Sequence, residues 1–292
     1  MLPPFLTRGD LVALVATARK ITLEELEGAV KQLEEAGFRV RFGDTIGLVN
    51  NQLAGSDAER AADFNKQLAD PEVKAILCAR GGYGSVRMVD GVDWSLLRAN
   101  PKWIIGFSDV TVLHAHAQKN TGIATLHAEM AFNFGKDGKD PRSCTALLQV
   151  LQGQKVDYPL VPHRYNRGNS LQGELVGGNL SVLYSLLGSS SMPDFRGKIL
   201  FLEDLDEYLY HIDRMMMGLK RAGKLEGLAG LIVGGMTDMK DNAIAFGRDA
   251  EQIVFDAVDE YGYPLLFGFP AGHTALNMPV IFGEEIELRI PQ

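Results

Sequence analysis

Apolar strand-like segments and amphipathic helix-like segments alternate through the first half of the chain, and that alternation restricts it to a parallel α/β sheet. Leu11 to Ala16 reads as a buried strand, Thr22 to Ala36 places Leu23, Leu26, Val30 and Leu33 on one helical face, and Phe38 to Phe42 reads as a second strand. Gly37 closes the helix between them. Ser56-Asp57-Ala58-Glu59 has the form of a capping box and predicts a helix to about Ala69, followed by strands at Val73 to Ala79 and Ile104-Ile105. Strands separated by helices run in the same direction and pair in parallel.

From about Gly135 to Asn169 the periodicity fades into two loop-like stretches around one expected helix, Ser143 to Leu151. We therefore expect a domain over 1–150, a linker over 151–169 and a second α/β domain over 170–292. The second half offers short strands at Gly173–Gly177 and Ile199–Leu202, helices at Leu180–Leu187 and Leu209–Arg221, and an apolar run from Leu228 to Gly235.

Composition removes several classes of function. The chain has 292 residues, 46% of them hydrophobic, and a formal charge of −8 with no basic stripe, which argues against a nucleic-acid binder. No apolar run reaches membrane-spanning length, and the first ten residues lack a basic region followed by an apolar core, so the expected compartment is the cytoplasm. Cys78 and Cys144 belong to no CxxC or Cys/His set, and His114 and His116 have no acid or cysteine at ligand spacing. No metal and no cofactor are expected.

The strand Trp103-Ile104-Ile105 runs straight into Gly106-Phe107-Ser108-Asp109 and a helical stretch from Val110 to Gln118. A hydroxyl on such a strand-to-helix turn stands clear of the sheet, and the first helical amides face any oxyanion beside it. Plain turn formation and N-capping are the commoner reasons for a serine there, and the Gly-x-Ser-x-Gly elbow is incomplete because no second glycine follows. Arg80-Gly81-Gly82-Tyr83-Gly84-Ser85, after the strand ending at Ala79, is a second informative loop. It lacks Walker and Gly-x-Gly-x-x-Gly spacing, so an amide aimed at an oxyanion, or a tight turn with no ligand, explains it better than nucleotide binding.

A nucleophilic serine needs a base, and the base needs an orienting group. Among the six histidines only His273 sits in a loop-dominated segment with a glycine beside it, Gly268-Phe269-Pro270-Ala271-Gly272-His273. His114, His116, His127 and His211 have ordinary structural readings. For the carboxylate, Glu203 directly continues the apolar run Ile199 to Leu202, whereas Asp204, Asp206 and Glu207 also read as solvated or helix-capping acids.

Five blocks in order, Arg80-Gly81-Gly82-Tyr83-Gly84, Gly106-Phe107-Ser108-Asp109, Gly177-Gly178-Asn179-Leu180, Leu202-Glu203-Asp204 with His211-Ile212-Asp213-Arg214, and Gly272-His273, together resemble the LD-carboxypeptidase family. The resemblance implies an N-terminal flavodoxin-like domain, a smaller C-terminal domain of swivelling β/β/α type and an active site between them. It implies Ser108 as nucleophile, His273 as general base, Glu203 as the carboxylate that orients it, and an oxyanion hole from the amides of Gly82 and Asp109. It further implies a metal-free cytoplasmic homodimer that releases terminal D-alanine from murein tetrapeptide in peptidoglycan recycling, with a microcin C-type peptidyl-nucleotide hydrolase as the nearest alternative within the family. A binding protein without catalysis is the alternative outside it. For the substrate itself we expect contacts from Arg80, Tyr83 and Asn179, with Arg80 anchoring the free carboxylate and Arg214 and Arg167 as competitors. Where the family often has His-Gly-Pro-Met, this chain has His127-Ala128-Glu129-Met130, which leaves Glu129 without a family counterpart.

Overall fold

The computed structural model describes all residues from Met1 to Gln292. The first half contains β1 (Leu11–Val15), α1 (Glu27–Glu35), β2 (Arg39–Phe42), α2 (Asp57–Ala69), β3 (Val73–Cys78), α3 (Ser85–Met88), α4 (Trp94–Ala99), β4 (Trp103–Gly106), α5 (Thr111–Thr121), β5 (Thr125–His127) and α6 (Pro141–Leu151). The second half contains β6 (Ser170–Asn179), α7 (Leu180–Ser185), β7 (Ile199–Leu205), α8 (Leu209–Arg221), β8 (Gly230–Thr237), α9 (Ala250–Val258), β9 (Leu265–Leu266), β10 (Val280–Phe282) and β11 (Glu285–Arg289).

Two sheets result. The first has the order β10-β5-β4-β3-β1-β2, with β1 to β5 parallel in the doubly wound 2-1-3-4-5 arrangement expected of a flavodoxin-like sheet. The second, β11-β6-β7-β8-β9, is parallel except for β11. Strands β1, β3 and β4 are buried on both faces, which is why they read as continuous apolar runs rather than alternating ones. The capping box at Ser56 forms as expected: Glu59 N–H donates to Ser56 Oγ at 3.2 Å and Ser56 N–H donates to the Glu59 carboxylate at 2.7 Å.

Strand β10 crosses the expected division of the chain. It leaves the C-terminal half and pairs antiparallel with β5, Val280 opposite His127, so residues 1–150 do not complete the first sheet. One apolar cluster also runs through both halves, from Phe64 and Leu97 to Leu200 and Ile253. Thr111 at the start of α5 fastens the halves at one point, its hydroxyl accepting the Asn179 N–H at 3.0 Å. Gly178 there has φ +140°, and a Cβ on it would stand 2.5 Å from the Thr111 side chain, so only glycine admits this approach.

Candidate active site

Ser108 stands where β4 ends, at the head of a short 3-10 turn, Ser108–Val110, that leads into α5. Its φ is +62°, a left-handed conformation that costs a non-glycine residue about 1–2 kcal/mol. Such strain persists only where the surroundings impose it, and it occurs preferentially at functional sites. The Gly81 backbone lies over the serine: a Cβ on Gly81 would stand 3.6 Å from Ser108 Cβ. Gly82 follows with φ +103°, and the amide N–H groups of Gly82 and Asp109 donate to no acceptor within the fold.

The glycine loop is held from behind by Asp109. The Asp109 carboxylate accepts the Ser85 N–H at 2.8 Å, and burial pushes its pKa up against the pull of that amide. A single residue thus carries a free amide next to Ser108 and fixes the neighbouring loop with its side chain.

Strand β7 places Glu203 fully inside the protein, and the loop after β9 brings His273 to it. His273 Nδ1 donates to Glu203 Oε2 at 2.6 Å, and the His273 backbone N–H reaches the same oxygen at 3.2 Å. Gly272, with φ +105°, makes this possible, because a Cβ there would stand 2.7 Å from Glu203 Oε2. Burial alone would lower the His273 pKa, but the adjacent Glu203 charge and hydrogen bond outweigh it and raise the pKa above the ordinary value. For Glu203 burial works upward, and the charge and hydrogen bonds of His273 overcome it and lower the pKa. The imidazole packs on Phe107, the residue before the serine, with ring centroids 4.7 Å apart. No hydrogen bond joins Ser108 to His273 in the free protein; contacts of this kind tighten in substrate complexes.

The remaining expected site residues divide. Tyr83 is exposed on the glycine loop. Asn179 is buried and engaged within the fold, its amide donating to Asp204 at 2.9 Å and its oxygen capping α7 through Val182 N–H at 3.2 Å. Arg80 is paired with Glu25 at 3.2 Å and lies over the Phe132 ring, 4.2 Å from its centroid. Arg167 is paired with Asp259 at 2.9 Å, and Arg214 lies over Tyr210. Arg80 and Arg167 are thus engaged by carboxylates of the fold, and Arg214 by an aromatic face.

Glu129 has a structural role that its sequence position did not disclose. It is fully buried, bonded to Asn133 and paired with Lys139 at 3.1 Å, while Lys139 Nζ also donates to the Thr274 carbonyl at 3.1 Å. The pair therefore ties the segment after β5 to the residue beside His273. Nearby, His127 is buried among Phe107, Phe201 and Phe282, and burial pushes its pKa down to about 3, so it stays neutral.

The chain matches known proteins over nearly its whole length. Residues 12–128 match the LD-carboxypeptidase N-terminal domain and residues 172–288 the C-terminal domain. The chain belongs to the LD-carboxypeptidase family. It is a serine-type hydrolase of the carboxypeptidase class. A probable murein peptide carboxypeptidase of Bacillus subtilis is 39% identical over 96% of this chain and 89% of its own. The murein tetrapeptide carboxypeptidase of Pseudomonas aeruginosa is 30% identical over 94% of this chain and 91% of its own. In fold the chain is similar to the microcin C7 self-immunity protein MccF, solved with aspartyl sulfamoyl adenosine, at a TM-score of 0.88 and 23% identity over 99% of this chain and 95% of that one.

Proposed function

We propose that this LD-carboxypeptidase cleaves the bond between an L-centred residue and a terminal D-alanine in murein tetrapeptide, using Ser108, His273 and Glu203. The observation that carries the reading is the buried Glu203–His273 pair packed against the turn that holds Ser108 in a left-handed conformation. His273 Nε2 takes the Ser108 proton as the oxygen attacks the carbonyl carbon, and Glu203 stabilises the imidazolium that forms. The free amides of Gly82 and Asp109 receive the oxyanion. His273 then protonates the departing amine, and water attacks the acyl-enzyme by the reverse route. The murein carboxypeptidase relatives, which align over nearly the whole chain, support the substrate class. The same reading assigns the enzyme to peptidoglycan recycling in the cytoplasm, as a homodimer.

The stereochemistry of the substrate provides the test. Purified enzyme is given L-Ala-γ-D-Glu-meso-diaminopimelate-D-Ala, the same peptide ending in L-alanine, and aspartyl sulfamoyl adenosine. Release of alanine from the first alone is expected. Hydrolysis of the sulfamoyl adenosine with no alanine release would replace this reading by the peptidyl-nucleotide one.

A further inference from the structure

A carboxypeptidase must fill the role of recognising a free terminal carboxylate, and Arg80 and Arg167 already hold carboxylates of the fold. The structure assigns it to Arg19; we infer that its guanidinium binds the carboxylate of the departing D-alanine, an inference that rests on the LD-carboxypeptidase reading. Arg19 lies just beyond the carboxyl end of β1, and the Gly82 loop lies just beyond β3. In the sheet order β4-β3-β1-β2 these two strands flank the point where the winding reverses, which is where parallel α/β sheets bind their ligands.

The contact between them is direct. A Cβ on Gly82 would stand 2.6 Å from Arg19 Cδ and Nε, so the arginine side chain lies against the face of Gly82 that glycine leaves open. Arg19 is exposed and its guanidinium has no hydrogen bond, ion pair or aromatic partner within the fold. Two other cations near the glycine loop and His273 are engaged, Lys139 with Glu129 and Arg80 with Glu25. Arg19 is thus a free guanidinium in contact with the residue whose amide receives the oxyanion.

Reach agrees with this assignment. The terminal carboxylate lies one residue beyond the scissile carbonyl, about 4 Å along the chain. With the carbonyl oxygen at the Gly82 amide, a carboxylate one residue further on falls beside the Gly82 backbone on which Arg19 rests. The planar fork of the guanidinium suits a bidentate carboxylate pair, and a lysine ammonium would replace only its charge.

The test compares wild type, Arg19→Ala and Arg19→Lys on two substrates, the tetrapeptide with a free terminal carboxylate and the same peptide as its C-terminal amide. Wild type is expected to favour the free acid by roughly tenfold to a hundredfold in kcat/KM, the range for a hydrogen bond to a charged group. In Arg19→Ala the KM for the free acid should rise by that factor, kcat should change less, and the preference over the amide should vanish. Arg19→Lys should retain part of it. An Arg19→Ala enzyme that keeps the wild-type preference would overturn the assignment while leaving the LD-carboxypeptidase reading intact. A wild type that releases neither alanine nor alaninamide would instead remove the reading, and this inference with it.

Discussion

Replacing Glu203 with glutamine isolates what the buried carboxylate does for His273. The side chain is fully buried, 2.6 Å from Nδ1, and glutamine fills the same space without the charge. In serine hydrolases generally, removing this charge costs about 10⁴-fold in kcat, or about 5.4 kcal/mol at 1.36 kcal/mol per tenfold. A second signature comes from the pKa. In wild type, Glu203 holds the His273 pKa above its ordinary 6.5 against the opposing effect of burial. With the charge gone burial prevails, so the pKa should fall below 6.5. Because the general base must be neutral, the acidic limb of kcat/KM should sit above pH 6.5 in wild type and below it in Glu203→Gln. The same pair fixes a stability window. The contribution of His273 is complete below its unfolded value of 6.5 and declines as pH rises through the raised folded pKa. The contribution of Glu203 is complete above its unfolded value of 4.5 and declines as pH falls through the lowered folded pKa. The stability deficit of Glu203→Gln should therefore be largest between pH 4.5 and 6.5. Steady-state rates and urea melts across pH measure both effects. A variant with wild-type kcat and an unmoved acidic limb would refute the coupling of Glu203 to His273.

Other substitutions test separate parts of the site. Ser108→Gly and Ser108→Ala should both abolish turnover, but the glycine variant should be the more stable by about 0.5–1 kcal/mol in urea, since only glycine adopts φ +62° without strain. Equal stabilities would show that the turn is not strained. Gly82→Ala should lower kcat about 10²- to 10³-fold, because alanine is strained at φ +103° and the loop shift that relieves it displaces the oxyanion amide; single-turnover rates read it directly. Lys139→Met should destabilise the fold by about 3–5 kcal/mol by leaving Glu129 buried without its cation. Burial already raises the Glu129 pKa above the ordinary 4.5, and without Lys139 it rises further, so this deficit should widen as pH rises through the raised wild-type value. A pH-independent deficit would mean that the ion pair does not carry the effect.

Most of the fold and the central residues of the candidate site are legible in the sequence because they depend on local signals. The run through β4 into Ser108 and α5, the capping box at Ser56 and the apolar stretch leading to Glu203 each carry their own pattern, and each forms where that pattern lies. What is not legible depends on long-range pairing. Val280–Phe282 is a three-residue strand whose partner, Thr125–His127, lies far back in the chain, and nothing local announces the pairing. The helix expected from Thr22 begins instead with a 3-10 turn at Glu24–Leu26 and becomes α-helical only at Glu27. Glu129 reads as an unplaced acid because its cation, Lys139, sits in a glycine-rich loop with no periodicity. Arg80 is the arginine adjacent to the glycine loop in sequence, whereas Arg19 is the one that reaches it in space, by way of the β1–β3 pairing.

In the proposed function Ser108 delivers metal-free cleavage of an LD bond to a terminal D-alanine. D-alanine release from L-Ala-γ-D-Glu-meso-diaminopimelate-D-Ala by wild type and Ser108→Ala, with a chelator present throughout, tests it most directly. Release by wild type and none by Ser108→Ala is the predicted result; equal release by both, or release by wild type that the chelator abolishes, would contradict it.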